Sequence, residues 1–134
     1  MTLIRAAAGI PVRDGKLLLG LRAPHRKSFA NCWDVIGGHV EAGESSEEAF
    51  LRELREEIGI TPTGYKNLGA WIVDGPGSGN FELTVFRVEA WSGEPHAAND
   101  EHAKVEWFDI EAACALPNLA SDRYPELFRK LMSR

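Results

Sequence analysis

The stretch GGHVEAGESSEEAFLRELREEIGI, residues 37–60, decides the fold of this chain. Its longer part predicts a helix over residues 45–58, because Ser45 and Glu48 have the spacing of a capping box. Gly59 follows at the position where a left-handed residue commonly ends a helix. At about 100° per residue, four apolar side chains share one helical face, which we expect to be buried: Phe50, Leu51, Leu54 and Ile58.

The same segment is rich in negative charge. Seven glutamates lie between positions 41 and 57, and Glu53, Glu56 and Glu57 fall within an arc of about 100° beside the apolar face. Like charges at these spacings repel one another by a few tenths of a kcal/mol per pair. A solvated acidic face is the common explanation of such a run. A hard divalent cation such as Mg²⁺, held by carboxylate oxygens, would remove the repulsion, so the pattern favours a metal site.

The residues before the helix favour a ligand site as well. Gly37 and Gly38 predict a loop without side chains, where backbone can approach a ligand or offer a carbonyl group to a metal. A P-loop for a bare phosphate would need a lysine, and residues 37–60 contain none. We therefore expect a metal–phosphate complex at this point.

Patterns elsewhere predict a mixed sheet packed between helices, an α/β (α+β) architecture. Arg13-Asp14-Gly15 predicts a hairpin turn, because Asp-Gly tolerates positive φ angles. The remaining segments comprise strands over residues 3–12, 16–21, 65–73, 81–90 and 105–108, and helices over residues 110–116 and 124–132.

Length and composition restrict the class of protein. A chain of 134 residues predicts one domain over residues 1–134. The net charge of −5 argues against binding to a nucleic-acid polymer. Two cysteines are too few for a disulfide framework, and the apolar runs are shorter than the ~18 residues of a membrane span. We expect a soluble, cytoplasmic monomer or homodimer with no membrane partner.

Residues 38–60 resemble a complete Nudix box. Gly38 is followed after five residues by Glu44, and after seven more by the run Arg52-Glu53-Leu54-Arg55-Glu56-Glu57-Ile58-Gly59-Ile60. Ile36 departs from the family pattern, in which a proline often precedes the two glycines, but this change removes no ligand. The chain is therefore similar to small MutT-like Nudix hydrolases, and the resemblance implies the Nudix fold, a mixed sheet sandwiched between helices.

The resemblance also implies a cofactor and roles for the acidic residues. The cofactor would be Mg²⁺, with Mn²⁺ as a substitute, and Arg52 would hold one of the glutamates with support from Glu44. Glu53 is the first candidate for the general base, and Glu101, from a loop that supplies a ligand or base in several relatives, is the alternative. The implied metal ligands are the carbonyl group of Gly37 and the carboxylates of Glu53, Glu56, Glu57 and Glu101.

The implied substrate is a nucleoside diphosphate linked to another group. Arg22 and Gly38 would contact it, and Asn118 lies roughly where MutT-type relatives recognise a purine. The leading candidate is a ribo- or deoxyribonucleoside triphosphate, 8-oxo-dGTP by name, cut to monophosphate and pyrophosphate. Hydrolysis of ADP-ribose or a nucleotide sugar is the alternative, because Pro76 lies 16 residues after Ile60, although Gly75-Pro76-Gly77 is also ordinary turn sequence.

The last two interpretations concern a non-catalytic module and three histidines. A nucleotide-binding module without activity is the third functional hypothesis, but such domains typically lose box glutamates and this chain keeps all of them. His25, His96 and His102 lack the spacing of metal ligands, so we do not expect them to bind a metal.

Overall fold

The structure, a computed structural model, describes residues 3–74 and 80–133, with Asp74 described by its backbone alone. Pro76, on which the ADP-ribose alternative partly depends, lies outside the described residues. The elements follow in the order β1 (Ile4–Arg13), β2 (Lys16–Arg22), β3 (Trp33–Asp34), β4 (Ile36–His39), α1 (Ser46–Ile58), β5 (Thr61–Asp74), β6 (Asn80–Ser92), β7 (His102–Asp109), α2 (Ile110–Cys114) and α3 (Tyr124–Met132). None of the helices described is long and apolar enough to cross a lipid bilayer.

Strand β1 organises the mixed sheet. It pairs in parallel with β6 and antiparallel with β4, while its end turns through a hairpin into β2. β2 then pairs with both β3 and β7, and β5 pairs with the outer side of β6. The hairpin turn is the predicted one, because Asp14 and Gly15 have φ angles of 55° and 75°.

Alternating side chains of β1 bury the two faces of the sheet under different helices. Ala7 faces the apolar side of α1, with Phe50, Leu54 and Ile58 in the same core cluster. Ala6 and Ala8 face the opposite side, where the core contains Leu127, Phe128 and Leu131 of α3. This two-sided burial follows from the period of two along a strand and confirms the predicted sheet between helices.

Helix α1 forms within one residue of the predicted range. Ser45 accepts a hydrogen bond from the backbone N–H of Glu48, whose side chain accepts one from the backbone of Ser45, and Gly59 ends the helix with a φ angle of 71°. Of the four apolar residues expected on its inner face, three are fully buried, while Leu51 is half-buried at the margin. The caps fix the position at which the helix begins and therefore the direction of each glutamate.

The prediction of a loop at Gly37 and Gly38 was wrong. Both residues lie inside strand β4, opposite Ala8 and Ala7 of β1. A Cβ atom on Gly37 would lie 2.1 Å from the carbonyl oxygen of Ala7, so the side chain is absent because two backbones approach closely. Strands β3 and β4 themselves have only two and four residues, so they are too short to recognise from a sequence pattern.

Candidate active site

A cavity of about 600 Å³ is lined by residues of strands β1, β4, β5 and β6, of helices α1 and α3, and of the loop after β2. Its volume is within the usual range of ligand sites. Part of its wall is apolar and comes from the strands, including Phe81 and Leu83. The charged residues that line it are three basic and four acidic side chains: Arg22, Arg26, Lys27, Asp34, Glu41, Glu53 and Glu101. The cavity therefore combines both signs of charge with an apolar surface.

Gly38 brings β4 against the carboxylate of Glu53. A Cβ atom at this glycine would lie 2.8 Å from both Cδ and Oε1 of Glu53. The close contact places the backbone of Gly37 and Gly38 and the carboxylate of Glu53 on the same wall of the cavity. The absence of side chains thus serves the site, although within a strand rather than a loop.

Arg52 connects the box residues through its guanidinium group. It donates two hydrogen bonds to Glu44, at 2.7 and 2.9 Å, one to Oε1 of Glu53 at 2.7 Å and one to the carbonyl oxygen of His39 at 3.1 Å. The bonds from Arg52 hold the pKa of Glu44 at about 2, and they raise the pKa of Arg52 itself. Glu56 reaches Arg52 only at 3.4 Å, and its side chain is 55% exposed.

Glu57 and His102 form a buried pair behind this network. Oε1 of Glu57 lies 2.8 Å from Nε2 of His102, and each side chain is 2% exposed. Burial, followed by the neighbouring carboxylates of Glu53 and Glu101, raises the pKa of Glu57 to about 12. Burial is also the main cause that lowers the pKa of His102 to about 4, so its ring is neutral near pH 7.

This donor set fits a divalent cation. Oε2 of Glu57 is buried without a hydrogen-bond partner among the described residues, a situation that costs free energy unless a cation or a proton is supplied. One ligand atom from each of Glu57, Glu101 and His102 lies within 4.8 Å of the others. The carboxylate oxygens of Glu57 and Glu101 are ligands of the kind that Mg²⁺ prefers, whereas Nε2 of His102 is engaged by Glu57.

Of the predicted substrate residues that the structure describes, Arg22 lines the cavity and Asn118 does not. Arg22 lines the cavity, where it also donates to the carbonyl oxygen of Ser28 at 2.9 Å and contacts Asp34 at 3.4 Å. Asn118 is not among the described residues that line the cavity, and its side-chain amide donates to the carbonyl oxygen of Asn31 at 2.5 Å. A contact between Asn118 and a base stays a prediction that this arrangement does not favour.

No role was predicted from the sequence for Asp34, Tyr124 or His102. In the cavity, the hydroxyl group of Tyr124 donates to Asp34 at 2.5 Å, and burial raises the pKa of both groups. The signal was a lone acid between Trp33 and Val35, both of which are buried. For His102 the signal was Gly20, a glycine inside an apolar strand, which commonly marks a close approach.

A family model described as the NUDIX domain matches residues 3–131 of the chain. The chain belongs to the Nudix family. The MutT Nudix hydrolase from Burkholderia pseudomallei has a similar solved structure, with a TM-score of 0.83 and 28% identity over 97% of this chain and 98% of that one. The Nudix fold and the enzyme class predicted from the box are thereby confirmed.

Two curated relatives of the chain are named for the hydrolysis of nucleotides. It is 35% identical to the CTP pyrophosphohydrolase of Escherichia coli, over 91% of this chain and 87% of that protein. It is 36% identical to the ADP-ribose pyrophosphatase of Methanocaldococcus jannaschii, over 87% of this chain and 66% of that protein. The protein is therefore a Nudix hydrolase of nucleotide substrates rather than a non-catalytic module.

Proposed function

We propose that this Nudix hydrolase cleaves a nucleoside triphosphate to a nucleoside monophosphate and pyrophosphate, with Mg²⁺ as cofactor and Mn²⁺ as a substitute. The observation that carries the proposal is that carboxylates and basic side chains line the same cavity. The carboxylates are Glu53 and Glu101, and the basic residues are Arg22, Arg26 and Lys27. Carboxylates hold the hard cation, and guanidinium groups pair with phosphate oxygens. A polyphosphate bound in the cavity could contact both the metal held by the carboxylates and the basic side chains.

The residues of the chain divide the work of hydrolysis. Glu53, Glu57 and Glu101 would hold the metal with the Gly37 carbonyl group, and Glu56 would contribute from the exposed margin. When bound, the metal neutralises phosphate charge and lowers the pKa of the attacking water. Attack forms one P–O bond and breaks the anhydride P–O bond, while the proton of the water passes to a base.

Glu53 is the proposed base, and Glu101 is the alternative. A hydrogen bond from Arg52 orients Glu53, and the close approach of Gly38 leaves its carboxylate little room to move. A general base must be held within hydrogen-bond reach of the proton that it accepts. Glu101 is tied more loosely, by a 3.6 Å ion pair with Arg26, and its side chain is 38% exposed. This difference in restraint favours Glu53.

The apolar part of the cavity would receive the nucleobase. Phe81 contacts the ring of His39 edge to face, with centroids 5.4 Å apart, and both residues line the cavity. Asp34 supplies a half-buried carboxyl group there, and carboxylates accept hydrogen bonds from exocyclic amino groups such as that of cytosine. The relative named for CTP hydrolysis aligns over more of its own length than the ADP-ribose relative does. Both features support a triphosphate with an amino-bearing base.

A hydrolysis screen tests the proposal. CTP, dCTP, GTP, 8-oxo-dGTP, ADP-ribose and a UDP-sugar are incubated with the protein and Mg²⁺, and the products are separated by chromatography. We expect monophosphate and pyrophosphate from a triphosphate, no turnover in EDTA, and recovery when Mg²⁺ or Mn²⁺ is restored. A preference for ADP-ribose would establish the alternative, and full activity in metal-free buffer would contradict the metal site.

We also propose that residues 1–134 form one Nudix domain, since the family match spans residues 3–131. A small nucleotide is the expected partner. The cytoplasmic location and the monomer or homodimer state stay predictions.

A further inference from the structure

The ring of His102 lies so close to Gly20 of β2 that it leaves no room there for a side chain. A Cβ atom on Gly20 of β2 would lie 2.6 Å from Nδ1 and 2.8 Å from Cε1 of the His102 ring. His102 begins β7, and the pairing of β7 with β2 shifts in register between Leu21 and Arg22, next to its own partner position. Gly20 and this irregularity together give the ring its place beside α1.

The two ring nitrogens of His102 have different surroundings. Nε2 lies 2.8 Å from Oε1 of Glu57, which is hydrogen-bond distance, while Nδ1 is buried with no partner among the residues described. A neutral imidazole has one N–H and one bare nitrogen. The arrangement uses the N–H at Nε2, where a carboxylate oxygen accepts it, and leaves Nδ1 bare.

Glu57 shows the complementary asymmetry. Its Oε1 is engaged by His102, whereas Oε2 is buried without a hydrogen-bond partner in the described part of the chain. Oε2 is thus the oxygen that remains for a cation, or for a proton when no cation is bound. Partners behind a metal ligand commonly fix its orientation in this way.

We infer that His102 is a positioning residue for Glu57: its Nε2–H donates to Oε1, and this holds Oε2 towards the divalent cation. The inference rests on the proposed metal-dependent function and adds to it a residue outside the Nudix box. His102 does not itself bind the metal, because the nitrogen near the acidic group is occupied by Glu57 and the other lies against Gly20.

Three substitutions at His102 separate the hydrogen bond from packing. The amide nitrogen of glutamine occupies the same position along the side chain as Nε2, so H102Q keeps the donor. H102N places its amide nearer the backbone, and H102L fills space without a donor. H25N is the matched control, because the side chain of His25 is 60% exposed and neither lines the cavity nor contacts Glu57.

The measurement is Mn²⁺ affinity, followed by electron paramagnetic resonance of free Mn²⁺, with thermal melts of the metal-free variants as a check of folding. We expect H102N and H102L to weaken Mn²⁺ binding about 10- to 100-fold. H102Q should weaken Mn²⁺ binding by much less than tenfold, and H25N should bind Mn²⁺ as the wild type does. If H102Q binds as weakly as H102N, or if all variants bind as the wild type does, the inference is overturned while the metal site stands.

The wild-type protein gives a second, independent outcome. With ¹⁵N-labelled histidine and Mg²⁺, NMR reports which ring nitrogen of His102 carries the proton, and this result does not require any variant to fold. A protonated Nε2 in the Mg²⁺-bound protein supports the inference, and a bare Nε2 overturns it. Failure of the wild type to bind Mn²⁺ would instead overturn the proposed function, and the inference with it.

Discussion

Arg52 couples several parts of the site at the scale of a single residue. Its planar guanidinium group donates two bonds to Glu44, one to Glu53 and one to the backbone of β4 at His39. Lysine would carry the same charge without this fork of donors. The geometry of the carboxylates therefore depends on the shape of Arg52 as well as on its charge.

The identity of the base can be tested by comparing two carboxylates. If Glu53 is the base, Glu53→Gln should lower kcat by about 10²- to 10⁴-fold, since glutamine is nearly isosteric but cannot accept the proton. Glu101→Gln should cost less and act mainly on metal affinity or KM. Both are measured at saturating Mg²⁺ and at raised pH, with Glu126→Gln on the exposed side of α3 as the control. A larger kcat loss at Glu101, relieved by hydroxide, would move the base there.

Glu57 predicts a pH dependence of metal binding. Burial raises the pKa of this carboxyl group to about 12, so it is protonated near pH 7 when no metal is present. A cation must displace that proton, and metal affinity should consequently increase with pH. Calorimetric titration in buffers of different ionisation enthalpy should show release of about one proton per metal ion near pH 7. Binding without proton release would show that Glu57 is already ionised.

At the scale of elements, the contact between β4 and α1 forms the site. The caps of α1 and its buried face were predictable, because they depend on residues three or four positions apart. Strand β4 was not, since Gly37 and Gly38 have the composition of a loop and their conformation depends on β1, about 30 residues earlier. Local sequence therefore located the glutamates but not the strand against which Glu53 is held.

The two glycines of β4 should respond differently to alanine. Gly37→Ala drives a methyl group into the backbone of β1, which cannot move aside, and should destabilise the fold by about 1–3 kcal/mol or more. A Cβ atom at Gly38 has the Glu53 side chain as its nearest neighbour, so Gly38→Ala should lower Mn²⁺ affinity and kcat with a smaller change in stability. Urea denaturation and Mn²⁺ titration of both variants provide the comparison. Equal losses of stability would contradict the assignment.

At the scale of the whole molecule, the resemblance implied the architecture, but the pairing of distant segments was beyond the sequence. Asp34, Tyr124 and His102 meet the site from β3, α3 and β7. Each lacks a recognisable motif, because its role arises from burial beside residues that are far away in the chain. Gly20 is an example. It must be glycine because the ring of His102, more than 80 residues later in the chain, occupies the space of its side chain.

Metal binding should stabilise the whole fold. The chain carries a net charge of −5, and its buried carboxylates are costly without a cation. Mg²⁺ at about 100 times its Kd should add about 2.7 kcal/mol of stability through mass action. Differential scanning calorimetry should therefore show a rise in Tm of several degrees, which Glu57→Gln reduces and Glu126→Gln leaves intact. An unchanged Tm at millimolar Mg²⁺ would mean that the cation binds only together with substrate.

The parallel pairing of β1 with β6 has a consequence for how the chain acquires its structure. Ile4 pairs with Phe81 and Pro11 with Val88. At the centre of the sheet, the first strand therefore pairs with a strand that lies more than 70 residues later in the chain. Closing so long a loop carries an entropic cost, and topologies rich in distant contacts fold more slowly than helical ones of equal size. On the ribosome, one edge of β1 must wait unpaired until residue 88 has emerged, and during that interval it is open to pairing with other chains.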